Sequence, residues 1–300
     1  MRDGSQVLGK GQMHRRDFLL GGIKVSLSFL AFDALGFPAF ARQPGPAQLP
    51  ASLDDSLRVM AGYVARYAPP QGNFPTTGAW KATYDVLECT SSRGSKHKLD
   101  DNRVAGRMAV TGSPVAAGAG VSYDVDYAIT MHDYESSLKS TMQCSAERMP
   151  RLMEWKTDYE NHAVATPGLT VKLSEQGSHK DGVLGITNTL GTRQLKTDRP
   201  VVPQWAVMDA LRGAKADPSD PIAGLEFDML HDMTSYRPHQ RLKPCGVLNM
   251  SLDGKPYVFH GFMQTGMGTE PTHYWIDDAG RPLLLTAGLL SSAMTSLQKA

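Results

Sequence analysis

Five aromatic residues at alternating positions offer the first chemistry in this sequence: Tyr84, then Tyr123 and Tyr127, then Trp155 and Tyr159. Residues two or four apart on a strand share one face, so these rings form either a packed core or the lining of an apolar cleft. An aromatic face holds an apolar ligand by burying area, and the phenol or indole edge adds a polar handle. The expected ligand site is therefore Tyr84, Tyr123, Tyr127, Trp155 and Tyr159, with core packing as the competing role. A second set, Met229, His231 and Met233, alternates along one predicted strand, with Met263 and Met267 on a neighbouring one. Thioethers and imidazole suit Cu(I), and methionines equally fill irregular β cores. His231 beside Asp232, with His239, His260 and His273 further on, could supply a general base and its orienting carboxylate. Neighbours in a strand point to opposite faces, so His231 and Asp232 do not form a unit. The sequence has no G-x-S-x-G, H-E-x-x-H, C-x-x-C or P-loop signature. Gly118-Ala119-Gly120 precedes a strand and opens no helix, the reverse of a dinucleotide site. No catalytic residue and no cofactor is expected.

The elements that must position these side chains are mostly strands. Ser52 with Asp54 and Asp55 reads as a helix start, and Leu53, Leu57, Met60, Ala61 and Val64 keep helical spacing until Pro69-Pro70. After the loop from Gly72 to Gly78 the period becomes two: Trp80, Ala82, Tyr84 and Val86 share a face, and Val121, Tyr123, Val125, Tyr127, Ile129 and Met131 do so again. Further strands are expected at 138–144, 152–159, 169–173, 225–233, 247–252, 257–263, 273–277 and 283–286. Asp253-Gly254 signals a tight hairpin between two of them, and Asp278-Ala279-Gly280 a second. One helix interrupts the series, with Pro203 at its first position, Trp205, Met208 and Leu211 on an apolar edge, and Gly213 beyond its end.

At the start of the chain, His14-Arg15-Arg16-Asp17-Phe18-Leu19-Leu20 carries the paired arginines and apolar pair of a twin-arginine signal. An apolar region from Val25 to Phe37 and the small residues of Ala39-Phe40-Ala41 complete a signal cleaved after Ala41. Met13 directly precedes the motif, so either Met1 or Met13 serves as the start. The apolar run holds Asp33 and falls short of the roughly 20 residues of a spanning helix, so no membrane span is expected after cleavage. The organisation read here is a signal peptide over 1–41, a lead-in helix and loop over 42–78, and one β-rich domain over 79–300, placed in the periplasm. The whole chain has 31 basic and 30 acidic residues; the signal takes five and three of them and leaves 26 against 27. A near-neutral domain without a basic stripe excludes nucleic acid as a partner. Cys89, Cys144 and Cys245 would meet an oxidising compartment, where one disulfide and one spare thiol is the simplest arithmetic. Cys89 with Cys144 is the expected bridge, since both end strand-like runs in one half of the chain.

Many strands joined by short turns, with an N-terminal helix and one inserted helix, define a mainly β fold: a curled antiparallel sheet, half-barrel or β-spiral, whose apolar face is covered by its own curvature. The run Tyr274-Trp275-Ile276-Asp277-Asp278-Ala279-Gly280-Arg281-Pro282 before Leu283-Leu284-Leu285, preceded by the Pro200 to Arg212 segment, resembles the closing hairpin of periplasmic β-spiral domains of unknown function, similar in shape to lipoprotein-carrier proteins. The resemblance covers the second half of the chain. It implies a β-spiral in the envelope, and an apolar small molecule, a lipid or an envelope protein as partner. A curled sheet of this size leaves an opening, as lipocalin-like barrels do. The expectation is an exported, non-catalytic domain binding an apolar ligand, a lipidated protein or a peptide. A hydrolase is the alternative, because catalytic triads are recognised by geometry rather than order. A copper-binding protein comes third. The closing hairpin is expected to organise the fold without chemistry of its own, Tyr274, Trp275 and Leu283 to Leu285 covering one end of the curled sheet because an open-edge strand must be paired or blunted, with Asp277 and Arg281 contributing modestly through the turn.

Overall fold

The computed structural model describes Tyr63 and residues 78–88, 103–115, 120–131, 134–164, 168–231, 235–252, 255–287 and 290–300. The expected signal peptide, almost all of the lead-in helix, Cys89, Met233 and the Asp253-Gly254 turn lie outside them.

Fifteen strands form one sheet in the order β8-β7-β6-β5-β4-β3-β2-β1-β15-β14-β13-β12-β11-β10-β9. The first half runs β1 (Trp80–Glu88), β2 (Arg103–Pro114), β3 (Val121–Met131), β4 (Tyr134–Cys144), β5 (Leu152–Ala163), β6 (Thr170–Lys180), β7 (Val183–Asn188) and β8 (Gly191–Lys196). The second half runs β9 (Val201–Pro203), helix α1 (Gln204–Ala210), β10 (Glu226–His231), β11 (Ser235–Leu252), β12 (Lys255–Gly266), β13 (Thr269–Asp277), β14 (Pro282–Ala287) and β15 (Leu290–Lys299). Each strand pairs with its sequence neighbour in antiparallel fashion, except β9, which lies parallel to β10. β1 pairs with β15 as well as β2, so the first and last strands meet in the middle of the sheet. The two edges, β8 and β9, are joined by residues 197–200.

A flat sheet of this many strands would be about 70 Å wide at the usual spacing between neighbours. Helix α1 and the few residues after it nonetheless touch both halves. The Tyr123 hydroxyl on β3 donates to Asp209 (2.5 Å), Arg148 beyond β4 donates to the Ala210 carbonyl (2.9 Å), and the Gly213 amide donates to the Gly280 carbonyl beyond β13 (2.9 Å). The sheet therefore curls around the helix. All of α1 except Gln204 is buried, Asp209 being the one charged residue among them. Pro203, extended at φ −72°, caps its start as the last residue of β9 rather than opening the helix itself. Arg148 satisfies carbonyls at its end, where a cation is also favoured by the helix dipole.

The expected closing hairpin forms, as β13 and β14, but in the interior of the sheet between β12 and β15. It covers no open edge. Its turn instead docks on the segment after α1, which is why Gly280 and Gly213 both adopt positive φ and approach closely: a Cβ on Gly280 would fall 2.8 Å from the Gly213 Cα.

The expected Cys89–Cys144 bridge finds no support among the described residues, and Cys89 lies outside them. Cys144 is a free, buried thiol, and Cys245 is free and half-buried.

Candidate functional site

Register places the inward-facing residues of β2 to β7 in rows across the sheet. Nearest α1, Gly112, Tyr123, Met142, Trp155, Gly177 and Ile186 stand opposite one another in turn. The next row is Val110, Val125, Ser140, Thr157, Glu175 and Asn188, then Met108, Tyr127, Leu138, Tyr159 and Leu173, and last Gly106, Ile129, Ser136, Asn161 and Val171. The period-two pattern of each strand generates these layers, as in any small barrel.

The α1 end is filled. Tyr123, Trp155 and Tyr84 are buried core residues, and Tyr84 donates a hydrogen bond to the Pro282 carbonyl. Asp209, brought in by the helix, pairs with Arg212 and accepts from Tyr123. Burial holds its carboxyl above the usual carboxylate range, against the opposing pull of Arg212. The same burial, with the Asp209 charge, pushes the Cys144 thiol up to about 12 and raises the Tyr123 phenol. The Arg212 guanidinium lies 5.8 Å from the centroid of the Trp80 ring. The residues of this cluster are mostly buried.

The other end is open. A pocket of about 420 Å³ is lined by Tyr127, Ile129, Leu138, Tyr159, Leu173 and Leu290, with Ser136 and the β7–β8 turn residues Asn188, Thr189 and Leu190. Six residues of the last two rows, Tyr127, Leu138, Tyr159, Leu173, Ile129 and Ser136, line it. Of the five aromatics singled out from the sequence, the structure brings Tyr127 and Tyr159 into this wall and leaves Tyr84, Tyr123 and Trp155 in the core. Leu138, Leu173, Leu190 and Leu290 were not legible as one site, because nothing but strand register brings four distant leucines together. The polar part of the wall is a set of neutral groups. Asn161 donates to the Ser136 hydroxyl (2.7 Å) and to the Tyr159 hydroxyl (3.0 Å), which lies 3.4 Å from Ser136. Among the described residues that line the pocket there is no His, Cys, Asp, Glu or Lys.

Beneath the pocket runs the row with Ser140, Thr157, Glu175 and Asn188. Ser140 and Thr157 share a hydrogen bond (2.6 Å). Glu175, only 1% exposed, accepts from the Trp155 indole (3.1 Å) and from Asn188 (3.4 Å). Sequence reasoning missed Glu175, since a glutamate in an otherwise polar strand carries no signal of burial.

Of the copper set, Met229 and His231 lie among the described residues. Met229 is buried, and its sulfur accepts from the Gln264 side-chain amide (3.2 Å), part of a network with Gln240 and Tyr274. His231 is half-buried at the end of β10, and Met233 lies outside the described residues. Among those residues, no three His, Cys, Asp or Glu side chains are grouped to hold a metal ion. His260 meets Lys215 (3.2 Å), the Ala216 amide (3.3 Å) and Asp278 (3.3 Å). These contacts tie the segment after α1 to the β13–β14 turn and include no hydroxyl or thiol. No helix among the described residues is long and apolar enough to cross a membrane.

Fold and pocket together define a mainly β protein, one curled antiparallel sheet plugged at one end and hollow at the other. No protein-family profile matches the chain, and no curated protein matches it. It is similar to a solved structure described as a β-barrel-like protein of domain of unknown function DUF1849 from Brucella abortus. The identity is 12%, the TM-score 0.48, and the match covers 74% of this chain and 98% of that one.

Proposed function

We propose that this chain is an exported, periplasmic, non-catalytic binding domain that holds an apolar ligand in the pocket between β3–β7 and β15. The observation that carries the reading is the pocket itself. Its volume of about 420 Å³ lies in the range of about 300–1,000 Å³ usual for small-ligand sites, and its mostly apolar lining with a few convergent polar groups is the usual composition. Export rests on Arg15-Arg16 and Ala39-Phe40-Ala41.

Two experiments test the two halves. The domain from residue 42 onward, titrated with the neutral dye N-phenyl-1-naphthylamine, should give saturable fluorescence, and Leu173→Trp, which fills the pocket, should abolish it with the melting temperature kept. Equal binding by both proteins would sink the pocket reading. Replacing Arg15 and Arg16 with lysine should hold the precursor in the cytoplasm; normal envelope levels of that variant would refute export.

A further inference from the structure

We infer that residues 52–68, the segment whose spacing reads as a lead-in helix, pack across the outer face of β13–β15 and staple the seam where the first and last strands meet.

The sheet has two different outer faces. On β3 to β5 the outward side chains are polar and exposed, as at Asp124, Asp126, Lys139 and Lys156. Tyr84 faces the interior, so its neighbour Asp85 faces out, and register carries that outer row through Ala293 and Leu284 to Trp275. These three are buried, at 2%, 2% and 6% exposure, and so are Leu87, Ser291 and Thr286 in the next row. Apolar side chains on the outside of a sheet are buried only where a second layer lies over them. That layer stops at β1, because Arg107, the outward partner of Asp85 on β2, stands in solvent.

Tyr63 identifies the layer. It is helical, and its hydroxyl donates to the Met294 carbonyl (2.8 Å). Met294 adjoins Ala293 at the register shift between β1 and β15. On a helix Met60 lies beside Tyr63, which puts Tyr63 at the margin of the stripe of Leu53, Leu57, Met60, Ala61 and Val64. Asp54, Asp55, Arg58 and Arg66 then fall on the opposite side. A helix over 52–68 is about 25 Å long, and the five strands from β12 to β1 span about 19 Å. The segment leads into β1, which pairs with β15, so the seam is within its reach.

The test uses the domain from residue 42 onward. Hydrogen exchange of the unaltered protein should show amides 55–66 protected about tenfold or more over a free chain; exchange at the free-chain rate overturns the inference. Photoreactive benzoylphenylalanine in place of Met60 should attach, within the same chain, to peptides holding Trp275, Leu284 or Ala293. Attachment to a second copy of the chain, or to another part of the sheet, overturns it. Leu57→Asp with Val64→Asp should lower the melting temperature by more than about 5 °C, whereas Arg58→Asp on the opposite side should leave it within about 2 °C. Equal shifts would mean that the stripe meets no apolar surface, and would also overturn the inference.

Discussion

The indole of Trp155 on β5 covers the backbone of Gly177, its direct partner on β6: a Cβ added to that glycine would fall 2.3 Å from the ring and 2.2 Å from the Gly185 carbonyl oxygen. The same pairing recurs at Trp80 with Gly112 and at Trp275 with Gly261. Every strand tryptophan of this sheet faces a glycine, which makes room for a ring too large for its row and is itself shielded by that ring.

Gly177→Ala should therefore destabilise the domain by about 1–3 kcal/mol, the usual cost of overpacking. Gly185→Ala, one strand away, has its nearest neighbour at 3.8 Å and should change stability by less than about 1 kcal/mol. Urea denaturation of both variants checks this. Equal effects would mean that the tryptophan does not set the requirement for glycine.

The same glycines explain which strands were legible. β3 shows unbroken alternation and was read with its exact limits, since every inward position is apolar or aromatic. β2 went unread because Gly106 and Gly112 interrupt its apolar face where a partner's bulk replaces theirs. β15 was hidden by Ser291 and Ser292, buried polar residues that read as loop, and β7 and β8 by their brevity. The pocket was half legible: Tyr127 and Tyr159 carry a periodic signal, whereas Ser136, Leu173 and Leu290 acquire meaning only from register.

Stability should fall as the pH drops through about 6.5. Burial and then the Lys215 charge hold the His260 pKa below its ordinary value, although Asp278 and Asp277 pull the other way. His179 is lowered as well, chiefly by burial. With the folded pKa below the unfolded one, the unfolded chain binds more protons in that window, so acid favours unfolding and stability is regained as the pH rises. Melting temperatures measured from pH 8 to pH 5 should decline, and His260→Asn should flatten the decline. An unaltered slope in that variant would assign the effect elsewhere.

Cys144 should resist alkylation in the folded domain. Its thiol is buried and raised to about 12, and reaction proceeds through the thiolate. Iodoacetamide at pH 8, followed by intact-mass analysis, should leave Cys144 unmodified until denaturant is added. Cys245, half-buried and raised to about 11, should react slowly. A disulfide at Cys144 found by non-reducing peptide mapping would contradict its free thiol.

The Asp277–Arg281 pair holds more weight than a turn usually does. The Arg281 Nε donates to Asp277 Oδ2 at 2.7 Å, and the Arg281 backbone amide donates to the other carboxylate oxygen at 2.8 Å. Both side chains are buried, so the expectation of a modest contribution gives way to a different ledger. Removing one partner leaves the other desolvated without its counter-charge, which costs about 3–5 kcal/mol. Asp277→Ala should approach that figure, because it takes away both the ion pair and the acceptor for the Arg281 amide. Asp277→Asn keeps that acceptor and should lose less. Replacing both, as in Asp277→Ala with Arg281→Met, should be less damaging than the two single losses added together, since no charge is then stranded; a thermodynamic cycle over the four proteins reads the coupling. The turn packs on Gly213 at the helix-plugged end, so dye binding in the pocket at the far end should persist in every variant that folds. Additive single effects would show that the pair is not coupled. Dye binding lost from a variant with an unchanged melting temperature would place a working site at this turn.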